Sequence, residues 1–106
     1  MDFITIEERA DFIHGLSNPI RLQILELIKD CECTVNQIVS ATRISQSSVS
    51  QHLACLKGCG LVTSRQVGKY VYYKLTTNSV KTLLTLIDTV IIETQDDTKK
   101  CQHHIK

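Results

Sequence analysis

The sequence has no tryptophan, a single proline, 5% aromatic residues and, between Glu32 and Asp88, no acidic residue. The shortage of aromatics leaves an aliphatic and modest core, and a chain this small often gains stability by pairing with a second copy. A hydrophobic fraction of 42% and a charged fraction of 22% exclude a fibrous or disordered chain and describe an ordinary globular one. Apolar runs such as Val90-Ile91-Ile92 fall far short of the ~20 residues that cross a bilayer. The start, Met1 to Glu8, is acidic and lacks the basic-then-apolar pattern of a secretory signal. A soluble, cytoplasmic protein with no membrane partner is expected. At 106 residues there is room for one compact domain.

No Cys-x-x-Cys, Gly-rich phosphate loop, paired carboxylates or Ser-His-Asp set is present to suggest catalysis, and an enzyme is not expected. The acid-free segment carries Arg43, Lys57, Arg65, Lys69, Lys74 and Lys81. Although the net charge is only +1, this distribution makes a local positive surface suited to a polyanion such as DNA or RNA. Charge alone fits a solvated basic face equally well.

The five cysteines, Cys31, Cys33, Cys55, Cys59 and Cys101, are many for a short chain in a reducing compartment. Their odd number argues against a closed disulfide framework. Reduced thiols in such clusters are candidates for soft-metal ligation or redox sensing.

Along the chain, Phe12, Ile13 and Leu16 suggest a first helix from Glu7 that ends near Gly15 to Ser17. Asn18-Pro19 restarts the chain as a cap and first helical residue, followed by the apolar Ile20, Leu22, Ile24, Leu25, Leu27 and Ile28 of a central buried helix. Thr34 caps a short helix carrying Val35, Ile38 and Val39; Ser45 caps the next, whose apolar stripe is Val49, Leu53 and Leu56. The opposite face of that helix is Gln46, Ser47, Ser50 and Gln51. Two short helices joined by a tight turn, the second with a small uncharged polar face, predict a helix-turn-helix, because Ser and Gln allow close approach to the major groove and offer donors and acceptors to base edges. After Gly60 the period changes: Leu61 to Gln66 and Tyr70 to Leu75 read as strands about Gly68, a hairpin wing with Arg65 and Lys69 near its tip within reach of phosphates or the minor groove. The tyrosines at 70, 72 and 73 are expected to be packing residues. A last helix carries Val80, Leu83, Leu84, Ile87, Val90 and Ile91, with extra apolar residues at Leu86 and Ile92 that call for a partner helix.

The runs Asn18-Pro19-Ile20-Arg21-Leu22-Gln23-Ile24-Leu25, Ser45 to Leu53, Leu61-Val62 and Gly68 to Tyr73 together resemble the ArsR/SmtB family of bacterial winged-helix repressors, over nearly the whole chain and in the same order. The resemblance implies a mainly α winged helix-turn-helix fold that forms a homodimer through its first and last helices and binds a palindromic double-stranded operator. It implies Gln46, Ser47, Ser50 and Gln51 as base contacts, and an effector that lowers DNA affinity. The run His52 to Val62, which contains Cys55 and Cys59, resembles the mycobacterial cadmium/lead-sensing branch, in which two cysteines at these places join a third from the partner's carboxy-terminal tail, here Cys101. The i, i+4 spacing agrees, since Cys55 and Cys59 fall about 40° apart around a helix. Three thiolates suit Cd(II) or Pb(II).

Other sensor sites of the family fit less well. Asp88, Val90, Cys101 and His104 lie at the spacing of the last-helix zinc and nickel site, but Val90 removes a nitrogen ligand. Cys31-Glu32-Cys33 resembles the Cys-x-Cys of arsenic and some cadmium sensors, displaced a few residues into the loop before Thr34. His52 is expected to bond locally or meet DNA backbone, and His103 and His104 read as backup ligands or a loose end. Residues 1–93 are thus expected to form the DNA-binding and dimerisation domain and 94–106 a polar tail with one candidate ligand. The leading function is a Cd(II)- or Pb(II)-responsive repressor; the alternatives are a reactive-sulfur or oxidant sensor of the same fold, or an As(III) or Zn(II) sensor. A metal carrier would account for the thiols but leave the helix-turn-helix and wing without purpose.

Overall fold

The computed structural model describes residues 3–95. Five helices and one hairpin follow in the order α1 (Ile6–Leu16), α2 (Pro19–Ile28), α3 (Val35–Thr42), α4 (Gln46–Gly58), β1 (Val62–Val67), β2 (Tyr70–Leu75) and α5 (Asn78–Glu93). The helix starts are set by side-chain caps. Asn18 Oδ1 accepts from the backbone N–H groups of Ile20 and Arg21 at 2.9 and 3.1 Å, with Pro19 in the first turn. Thr34 and Gln37 form a reciprocal capping box on α3, and the Ser45 hydroxyl accepts from the Ser48 N–H at 3.2 Å. The α3–α4 turn is closed by Arg43 at φ 64°, where its N–H reaches Val39 O at 2.8 Å.

The α4 stripe read from the sequence is the centre of the core: Val49, Leu53 and Leu56 are buried against Ile24, Leu25 and Ile28 of α2 and Ile38 of α3. Leu61, Val62 and Leu75 at the base of the hairpin and Val80 and Leu84 of α5 close the same cluster, so the wing is anchored directly to the helix-turn-helix. The hairpin pairs Val62 with Leu75 through to Val67 with Tyr70, leaving a two-residue turn, Gly68-Lys69. Gly68 alone takes positive φ there, 61°, the Gly-first pattern of a type II′ turn that matches strand twist.

Much apolar surface stays outside this core. Ile4, Ile6 and Ile13 on and before α1, and Leu86, Val90, Ile91 and Ile92 on α5, are all exposed. The first and last helices therefore carry unpartnered apolar faces. Among the described residues no helix is long and apolar enough to cross a membrane.

Candidate functional site

Gln46, Ser47, Ser50 and Gln51 are all exposed along one side of α4, and no acid lies within that helix. The opposite side is locked into the core, so the polar face is held on a rigid support. His52 is not spare: its Nδ1 accepts from Arg21 Nε at 3.3 Å, while the same guanidinium donates to Gly15 O at 3.2 Å and His14 O at 3.5 Å. Arg21 thus ties the end of α1 and the middle of α4 to α2, a link that sequence spacing did not reveal.

At the other end of α4, Cys55 and Cys59 are brought side by side. Cys59 is the residue that ends the helix, and its N–H bonds Cys55 O at 3.0 Å. Cys55 is exposed, whereas Cys59 is half-buried and its sulfur packs on α1 at Gly15. Burial pushes the Cys59 thiol pKa up, and the charge and hydrogen bond of Cys55 push it further; Arg21 opposes this and Asp11 adds to it. A cleft of about 440 Å³ lined by Glu8, Asp11, Phe12, Gly58 and Cys59 runs along this thiol. Among the described residues no three His, Cys, Asp or Glu side chains converge as a metal-holding group. Cys55 and Cys59 offer two adjacent sulfur donors. Cys101, His103 and His104 lie outside the described residues.

Gly15 is a consequence of this packing. A Cβ there would stand 2.9 Å from Cys59 Sγ. Relief of that contact in Gly15→Ala has to come from a shift of the Cys59 thiol, an overpacking cost of about 1–3 kcal/mol. It is offset in part by the up to ~1 kcal/mol by which Ala is favoured over Gly inside a helix, and the net loss is expected to be recovered in the Gly15→Ala/Cys59→Ala double variant. Thermal unfolding of these proteins checks it: identical melting temperatures for Gly15→Ala and the parent would show that the thiol swings clear.

Cys31 and Cys33 lie against different elements. Cys33 is buried and makes an antiparallel bridge to Tyr73, with N–H to O distances of 3.0 and 2.8 Å in the two directions. Burial raises its thiol pKa, helped by Cys31 and Glu32. Cys31 is exposed. Cys33 thus adds a short third segment to the wing, a structural role that the sequence did not suggest.

The wing also corrects the placement of Arg65. Lys69 is in the turn as expected, with its ammonium 5.6 Å from the Tyr70 ring centroid. Arg65 is mid-strand, opposite Tyr72, and donates to Glu32 through Nε at 2.9 Å and through Nη2 at 2.6 Å. Its guanidinium also lies 5.8 Å from the Tyr72 ring centroid. Of the tyrosines, Tyr73 packs on the core, while Tyr70 is exposed and Tyr72 half-buried, each under a cation rather than inside. The reason is strand alternation: Arg65, Tyr70, Tyr72 and Lys74 share the face turned away from the core.

The pattern described as "Bacterial regulatory protein, arsR family" matches residues 18–64, from the α2 cap into β1. The transcriptional activator HlyU of Vibrio cholerae is 39% identical over 75 residues, 71% of this chain and 69% of its own. The transcriptional repressor PagR of Bacillus anthracis is 31% identical over 91 residues, 85% of this chain and 91% of its own. Among solved structures, the homodimeric winged helix-turn-helix domain Mb0332 of Mycobacterium bovis, described as a possible ArsR-family regulator, is 32% identical, with a TM-score of 0.76 over 95% of this chain and 89% of that one.

Proposed function

Since the chain belongs to the arsR family of bacterial regulatory proteins, we propose that it is a transcriptional repressor which binds operator DNA as a homodimer and releases it when a soft metal ion, Cd(II) or Pb(II), binds Cys55 and Cys59 together with Cys101. The observation that carries this reading is that one helix holds both ends of it. The first turns of α4 present Gln46, Ser47, Ser50 and Gln51, and its last turn presents Cys55 and Cys59. At 1.5 Å per residue the two ends are roughly 20 Å apart on one rigid body. A displacement imposed on the thiol end would be carried along this helix to the DNA end. The thiol end also touches α1, whose exposed apolar residues are available to a dimer interface.

Two thiolates favour a thiophilic ion over a hard one, and such an ion would cross-link them to a third donor. Burial, and then the neighbouring Cys55, raise the Cys59 thiol pKa, which lowers its thiolate fraction and disfavours oxidant or persulfide sensing at that thiol. Cys101 is proposed to reach from the tail of the partner subunit. On this scheme residues 1–93 bind DNA and pair, and 94–106 supply the closing ligand. Lys69, in the exposed turn, is proposed as a backbone contact of the wing.

Base reading by α4 is tested by Gln46→Ala and Ser50→Ala, each expected to relax preference for the operator over random DNA by about 1–3 kcal/mol, the discrimination that one side chain hydrogen-bonded to a base edge supplies. Competition binding measures this. An unchanged preference in both variants would place base recognition on another face.

A further inference from the structure

Glu32 is the last acid before the acid-free segment, and it does not face open solvent alone. Its two carboxylate oxygens take both Arg65 donors at 2.9 and 2.6 Å, and Arg65 holds its carboxyl pKa below the usual range, with Lys74 adding to the effect. The loop that carries it is fixed on the wing by the paired backbone bonds between Cys33 and Tyr73. A carboxylate that binds a guanidinium through two parallel N–H groups has the geometry by which a phosphate binds the same group. Both partners stay solvent-accessible, with side-chain exposures of 57% for Arg65 and 29% for Glu32, so exchange of one anion for another is unobstructed. Asp30 on the same loop holds Lys81 at 2.7 Å. Arg65 also shares its outward strand face with Lys74 and with Tyr70, over which Lys69 lies.

We propose that Glu32 is an internal competitor for the DNA backbone: it occupies Arg65 as a phosphate would, and the wing contacts a phosphate through Arg65 only by displacing it. This rests on the DNA-binding reading above. The wing then carries less effective charge than its sequence suggests, and the α2–α3 loop sets how strongly the protein holds DNA of any sequence. The Arg65–Tyr72 contact keeps the guanidinium in place as the anions exchange.

The test uses a mixed-sequence DNA duplex and measures affinity by fluorescence anisotropy across a salt series. Glu32→Gln, and Glu32→Ala beside it, are expected to bind about 3–10-fold more tightly than the parent, with the slope of log K against log salt steeper by up to ~0.9. Arg65→Ala is expected to bind more weakly than the parent, and Glu32→Gln made in the Arg65→Ala background should bring little of the ~3–10-fold gain, a non-additivity that the mere removal of a surface acid does not produce. Far-ultraviolet circular dichroism and melting establish that each variant is folded. Weaker or unchanged binding by folded Glu32→Gln and Glu32→Ala would overturn the proposal. Failure of the parent protein itself to bind any duplex would instead overturn the DNA-binding reading on which it rests.

Discussion

Cys55→Ser and Cys59→Ser are each expected to abolish Cd(II)-induced release of operator DNA while leaving the metal-free protein's DNA affinity intact. Serine is close in size, Cys55 is exposed, and Cys59 is half-buried at the edge of the core rather than inside it, so the fold has little reason to change. What is lost is one of two adjacent sulfur donors, and a single thiolate cannot hold the end of α4 to the tail. The coupling at stake is about 1–3 kcal/mol, a 5–150-fold change in DNA affinity. Cys101→Ser is expected to keep weaker two-thiolate binding and lose most of the release. Cys31→Ser and Cys33→Ser should have smaller effects, because neither lies on α4: Cys33 is held in the backbone bridge to Tyr73 and Cys31 is exposed in the loop before it. The response should also depend on pH. Cys59 binds an ion only after losing a proton, and its pKa lies above the ordinary thiol value, so Cd(II) affinity is expected to rise with pH throughout the range below that pKa and to fall as acid is added. Anisotropy titrations of labelled operator with Cd(II) decide the matter. Full release from Cys55→Ser, or loss of release only in the Cys31 and Cys33 variants, would move the sensor to the loop before α3.

Ile91→Glu is expected to dissociate the dimer and to weaken operator binding by about 100-fold or more. Ile91 is 58% exposed on α5, so a carboxylate there leaves the folded subunit unharmed. In a dimer interface the same carboxylate would be buried without a partner, a penalty of several kcal/mol. Two half-sites read by one dimer gain about 10²–10⁴ from their linkage, and a monomer forfeits it. Sedimentation velocity reports the first effect and operator titration the second. A variant that stays dimeric with parental affinity would show that the α5 apolar surface serves something other than self-association.

How far the sequence reached depends on the range of the forces involved. The caps at Asn18, Thr34 and Ser45, the α4 stripe and the Gly68 turn are local arrangements, written in spacings of two to four residues, and the structure has each where the pattern put it. The start of α1 was readable too: Thr5 and Glu8 form a capping box, which begins the helix at Ile6 rather than Glu7. Contacts made between elements were not legible. Glu32 meets Arg65 across 33 positions and Arg21 meets His52 across 31, distances at which packing angles decide who is adjacent and periodicity is silent. Arg65 therefore reads as a cation near the tip of the wing, whereas in the structure it is in mid-strand and paired with Glu32. The juxtaposition of Cys55 and Cys59 was legible because both lie on one helix; the Gly15 floor beneath Cys59 was not, because α1 and α4 meet only in the folded chain.

Coupling between the thiol end and the DNA end of α4 is tested most directly by the reciprocal measurement, the affinity for Cd(II) of the free dimer and of the dimer already bound to operator, followed through thiolate-to-metal ultraviolet absorption. Linkage requires DNA to weaken metal binding by the same factor by which metal weakens DNA binding. The expected result is a Cd(II) affinity about 5–150-fold lower on DNA, matching the independently measured loss of operator affinity. Equal Cd(II) affinities on and off the operator would contradict the coupling, even if the ion binds both cysteines.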